Sequence, residues 1–146
     1  MLEDEKTLGA GLEPDAPRRV LLLGADLGRY DSQRSMEELA ALAEANNMEP
    51  VAEVLQKLTA AHAATVLGSG RLAEAKELAE NLGAQAVVFD GELTGSQIRN
   101  LEDRLELTVY DRNMLILDIF ARRAVTRAAP LHHLPLSQIY TASVLV

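Results

Sequence analysis

The strongest constraint on this chain is an alternation of short apolar runs with longer amphipathic segments, repeated from Arg18 to Arg127. Arg18-Arg-Val-Leu-Leu-Leu-Gly-Ala-Asp26 opens it as a continuous apolar run ended by Gly24, the pattern of a strand buried on both faces. A helix follows, with Ser35-Met-Glu-Glu38 read as a capping box and Leu39, Leu42 and Ala43 carrying the apolar face to about Asn46. Glu49 to Leu58 is ambiguous in spacing around Pro50, and its place between two helices selects a strand. Thr59 to Ala64 is undecided between helix and loop. Leu72, Ala75, Leu78, Ala79 and Leu82 form the next helical stripe, stopped by Gly83.

Ala84 to Asp90 reads as strand three, ended by Gly91. Thr94-Gly-Ser-Gln97 is a second capping box, and Ile98, Leu101 and Leu105 face inward on the helix it opens. Leu107 to Tyr110 is strand four, and a last helix starts near Asp111 to Asn113 with Leu115, Ile116, Ile119 and Phe120 inward. It fades before Pro130, because proline disfavours helix at the residue ahead of it. The rhythm specifies an α/β domain: a four-stranded, mostly parallel sheet with helices on both faces and right-handed βαβ crossovers.

Composition says what the core is made of. With no Cys, no Trp and only five aromatics, it is built from Leu, Val, Ile and Ala, and a chain of 146 residues buries enough surface to need no disulfide or structural metal. No apolar run has the length of a membrane span, and Met1-Leu-Glu-Asp-Glu-Lys6 is unlike a signal peptide, so the expectation is a soluble cytoplasmic protein with no membrane partner. The net charge of −8 disfavours non-specific nucleic-acid binding over the whole surface. Acids dominate between Ser35 and Glu106, whereas Arg122, Arg123 and Arg127 follow Asp118 with no further acid. The chain divides into an acidic, disordered tail over 1–17, the α/β domain over 18–127 and a Pro-containing apolar tail over 128–146.

The chemistry-bearing stretch is Thr65-Val-Leu-Gly-Ser-Gly-Arg71, a glycine turn that hands directly into a helix. One reading is a phosphate or nucleotide site, with the helix N–H groups at Gly68, Ser69 and Gly70 and the fork of Arg71 holding the anion. The other is a loop needing glycine dihedrals, with Ser69 as N-cap and Arg71 solvated, and the motif alone favours it. The stretch matches neither Gly-x-x-x-x-Gly-Lys-Ser/Thr nor the full Gly-x-Gly-x-x-Gly. Asp26, Asp90 and Asp111 fall after strands one, three and four, where Mg²⁺ ligation competes with ordinary turn and cap roles; the latter are the better reading, and no metal is expected. His132-His133 are sequence neighbours that point apart, His62 stands alone, and no Ser-His-Asp or cysteine nucleophile is placed by a motif. Met36, Met48 and Met114 read as core or cap-adjacent filler.

Leu67-Gly-Ser-Gly-Arg71, Phe89-Asp-Gly-Glu-Leu-Thr-Gly-Ser-Gln-Ile-Arg-Asn-Leu-Glu102 and Val109-Tyr-Asp-Arg-Asn-Met-Leu-Ile-Leu-Asp-Ile-Phe-Ala-Arg-Arg-Ala124 together resemble the N-terminal domain of HflX-type GTPases. Ser35-Met-Glu-Glu-Leu39 and Glu53-Val-Leu55 are similar too, so the resemblance covers about Arg18 to Arg127. It implies a ribosome-associated module that engages the large ribosomal subunit, in a family whose GTPase domain lies further along the chain and in which ATP interaction is attributed to the N-terminal domain. These residues contain no Walker-type lysine loop, no Asp-x-x-Gly switch and no Asn-Lys-x-Asp motif, so GTP hydrolysis by them alone is not expected. After Arg127 the family pattern of a charged linker helix gives way to Ala128-Ala-Pro130 and an apolar tail. The readings are therefore a non-catalytic ribosome- or RNA-binding module using Arg122, Arg123 and Arg127, a small domain binding ATP or GTP weakly at Gly68 to Arg71, or a remnant that self-associates as a homodimer through its tail. For the arginines, the competing role is to complement a helix dipole.

Overall fold

The computed structural model describes residues 16–127, with side chains through Ile119. Its elements are β1 (Arg18–Asp26), α1 (Ser32–Ala45), β2 (Met48–Lys57), α2 (Ser69–Leu82), β3 (Ala86–Phe89), α3 (Gly95–Leu105), β4 (Thr108–Asp111) and α4 (Arg112–Arg127). The four strands form one sheet in the order β2-β1-β3-β4, and every pairing is parallel. The acidic N-terminal segment through Asp15 and the tail from Ala128 lie outside the described residues.

Strand β1 sits between β2 and β3, and this explains its sequence. Val20, Leu21, Leu22 and Leu23 are all fully buried, because alternate side chains enter different layers. Leu21 and Leu23 join Val87, Phe89 and Val109 beneath α2 and α3, packing on Leu72, Ala75, Ala79, Leu101 and Leu105. Val20 and Leu22 join Ala86 and Val88 on the opposite face, under Met36, Leu39 and Ala43 of α1 and Leu115 of α4. Truncating one of these leucines to alanine costs about 3 kcal/mol, the usual range for a filled core position.

Pro50 lies inside β2, and two facts reconcile it with a strand. The strand is at the sheet edge, and the register with β1 shifts after Val20↔Pro50 so that Leu21 pairs with Ala52, leaving Val51 as the extra residue of a bulge. A residue without an N–H is tolerated at an edge or a bulge and nowhere else in a sheet.

Two local expectations are corrected and one open reading is resolved. Helix α1 begins at Ser32 with Asp31 as N-cap, whose Oδ1 accepts from the Arg34 N–H at 3.1 Å, so Ser35 lies within the helix and its capping-box role is not realised. Gly24 does not end β1 but lies within it, paired with Leu55, and a Cβ there would fall 2.7 Å from Met36 Sδ. Thr59 to Ala64 is loop, tied by a two-residue antiparallel bridge between His62 and Val66. The second capping box forms as the sequence specifies, with the Thr94 side chain accepting from the Gln97 N–H and the Gln97 side chain accepting from the Thr94 N–H. Met36 and Met48 are buried, whereas Met114 is exposed.

Candidate functional site

The glycine turn lies beside the carboxyl end of β2, where the Gly68 N–H donates to Gln56 Oε1 at 3.0 Å. Gly68, not Ser69, is the N-cap of α2; its φ of −71° is ordinary, and no side chain caps the helix. The expectation that this loop needs glycine dihedrals is therefore not met. A Cβ at Gly68 would make only ordinary contact with His62 and Gln56, and one at Gly70 would meet nothing within 4 Å. The unusual backbone belongs to Val66 instead, at φ 65°. A β-branched side chain is strained there, at a cost of about 1–3 kcal/mol. Reciprocal bonds hold it: His62 N–H donates to Val66 O at 2.9 Å and Val66 N–H to His62 O at 2.8 Å.

The neighbouring helix fixes the rest of the loop. Gln97 Nε2 donates to Ala63 O, Asn100 Nδ2 to Ala64 O at 3.0 Å, and Arg104 Nη2 to Ser69 O at 3.4 Å. Arg71 is exposed and bonds Glu74 at 3.1 Å, one turn along its own helix. Ser69, Gly70 and Arg71 are thus an accessible helix start whose cation already has an acidic neighbour. A surface pair of this kind is worth under about 1 kcal/mol.

At the carboxyl edge of β3 and β4 the structure unites residues that the sequence placed only as separate strand ends. Arg112 Nη1 donates to Asp90 Oδ1 at 2.9 Å and to Ser35 Oγ at 3.1 Å, while Nη2 donates to Glu38 Oε1 at 3.0 Å. Burial opposes the Arg112 charge, but the hydrogen bonds to Glu38 and Asp90 outweigh it and hold the guanidinium pKa above its ordinary value. Asp111 accepts from the Leu93 N–H and the Met114 N–H, both at 3.0 Å, and so fixes the β3–α3 loop and the first turn of α4. Asp26 accepts from the Gly28 N–H at 3.0 Å. Each of the three strand-end aspartates therefore has a turn, cap or ion-pair role, and among the described residues no acidic or histidine cluster is arranged to hold a metal ion.

Helix α4 continues through Arg127, so positions 122, 123 and 127 are helical, with their side chains outside the description. His132-His133 lie outside the described residues. No helix among those residues is long and apolar enough to cross a membrane.

An all-parallel, four-stranded sheet whose strands alternate with helices, with a glycine turn leading into the start of α2, defines a small α/β domain. A match to the family described as GTP-binding GTPase N-terminal spans residues 33–121, and the chain belongs to that family. It is 42% identical over 110 residues to the GTPase HflX of Lacrimispora saccharolytica, covering 75% of this chain and 26% of that protein. Against the GTPase HflX of Caldanaerobacter subterraneus subsp. tengcongensis it is 39% identical over 113 residues, covering 77% and 26%. Against that of Escherichia coli it is 32% identical over 117 residues, covering 80% and 28%. The chain thus spans about a quarter of the length of the curated relatives it matches. Among solved structures, the crystal structure of SsGBP with GDP superposes with a TM-score of 0.55 at 19% identity, covering 71% of this chain and 29% of that one. At that identity the likeness concerns the fold.

Proposed function

We propose that this domain is a non-catalytic ribosome-docking module of the HflX type, working in the cytoplasm and contacting RNA phosphates on the large ribosomal subunit through Arg122, Arg123 and Arg127. The observation that carries the reading is the unbroken course of α4 to Arg127, which puts positions 123 and 127 four residues apart on one helix at the most basic part of an otherwise acidic chain. Cations gathered at one end of a helix in an acidic chain localise RNA contact there and leave the rest of the surface repelled from phosphate. Sucrose-gradient co-sedimentation with purified large subunits tests it. The intact chain co-sediments at low salt and is released as salt rises, and a variant with all three arginines changed to glutamine loses the association while keeping its helical circular dichroism. Absence of co-sedimentation at low salt removes the proposal.

A second reading, weak ATP or GTP binding at Gly68 to Arg71, has its own support in the absence of a side-chain cap on α2 and the open space over Gly70. Titration of the chain with each nucleotide decides it, and no binding at about 1 mM, a free energy near 4 kcal/mol, removes it.

A further inference from the structure

On the face away from the glycine turn, a pocket of about 350 Å³ opens between the end of α1, the starts of β1 and β2, and the first turns of α4. Its walls are apolar and adaptable: Met48 and Leu115 are buried, and Met114 and Leu117 are exposed. Arg18, Asn46, Tyr110 and Asp118 bring polar groups to the lining. Asn46 is 2% exposed, and its Nδ2 donates to Leu42 O at 3.0 Å and to Leu115 O at 3.3 Å, which fixes the amide and leaves the buried Oδ1 with no partner. Arg18 donates to the Tyr110 hydroxyl at 2.8 Å and lies 5.4 Å from that ring, and it takes part in none of the ion pairs formed among the described residues.

We infer that this pocket binds a small aromatic monocarboxylate. An apolar ring fills the methionine and leucine walls, and the carboxylate takes the remaining donors of the Arg18 fork. Met48 and Met114 are unbranched and move aside to admit the ring. Asp118, also in the lining and with an interaction of its own, disfavours a dianion and limits the ligand to a single carboxylate.

Indole-3-acetate carries both features and serves as the probe, followed by amide and methionine-methyl chemical shifts of the full chain. Binding perturbs Asn46, Met48, Met114 and Leu115, with saturation near about 1 mM. Indole, which lacks the anion, binds about tenfold more weakly. Arg18→Gln removes the advantage of the acid over indole and leaves indole binding unchanged, a pattern that general loss of folding does not produce. The inference is overturned if the probe shifts nothing at about 5 mM, if its shifts map elsewhere, or if the acid and indole bind alike, which would mark a non-specific apolar patch.

Discussion

Arg112 Nη1 and Asp90 Oδ1 meet at 2.9 Å with only 4% of the Asp90 side chain exposed, joining the end of β3 to the start of α4. The same guanidinium reaches Ser35 and Glu38 on α1, so one cation ties α1 and α4 to the sheet edge. Arg112→Ala leaves a buried carboxylate without its partner and is expected to destabilise the domain by about 2–3 kcal/mol, below the full buried-pair cost because Arg112 itself keeps 26% exposure. Asp90→Asn is milder, and the double variant costs less than the sum of the singles. Urea melts of the four proteins measure the coupling; additive losses would show that the pair contributes nothing specific. Because the Arg112 pKa is raised, its contribution is fully present below the unfolded-state pKa and is lost only as pH rises through the still higher folded value. Stability between about pH 6 and 9 is thus expected to carry no titration of this guanidinium.

Gly24→Ala places a Cβ 2.7 Å from Met36 Sδ and 3.1 Å from Leu55 Cδ1, inside a packed layer. We expect a loss of about 1–3 kcal/mol. In a Met36→Ala background the same substitution costs less, because the space is already vacated. Thermal unfolding of the single and double variants checks this, and an equal cost in both backgrounds would show that Met36 is not the obstacle.

Of the two helix starts read as capping boxes, α1 departs from its sequence reading and α3 follows it. Asp31→Ala and Thr94→Ala each remove a real cap and are expected to cost about 1 kcal/mol. Ser35→Ala removes no cap and loses only an acceptor for Arg112, so its cost is smaller, about 0.5 kcal/mol. Denaturant midpoints rank the three, and Ser35→Ala equal to Asp31→Ala would return the cap to Ser35.

Gly70→Ala separates structure from ligand. Nothing lies within 4 Å of the added Cβ and the residue is helical, so the variant is expected to be as stable as the parent or more stable by about 0.5–1 kcal/mol. If nucleotide binds at this turn by close backbone approach, the same variant loses binding without losing stability. Titration alongside a melt reads both.

The α/β architecture was legible because it rests on periodicity. Arg18–Asp26 is a strand where its apolar run announces one, although it continues past the Gly24 read as its end, and the stripes of α2 and α3 bury Leu72, Ala75, Ala79, Leu101 and Leu105 as their spacing requires. Reading failed where two local solutions compete. Asp31 and Ser35 are both acceptable caps, and the turn after β1 selected Asp31. Gly24 resembles a strand terminator, yet it is there to make room for Met36 from another element.

The sequence by itself determined the order and kind of the elements, the aliphatic core and the family resemblance, since all of these are carried by residues near one another along the chain. Only the tertiary structure decided the strand order, the edge position and bulge that make Pro50 acceptable in β2, the meeting of Arg112 with Asp90, Ser35 and Glu38, and the pocket that Arg18, Met48 and Leu115 line together. Each of these depends on groups far apart in sequence brought within hydrogen-bond or van der Waals distance. Such distances follow from how the layers close on one another, which no local pattern encodes.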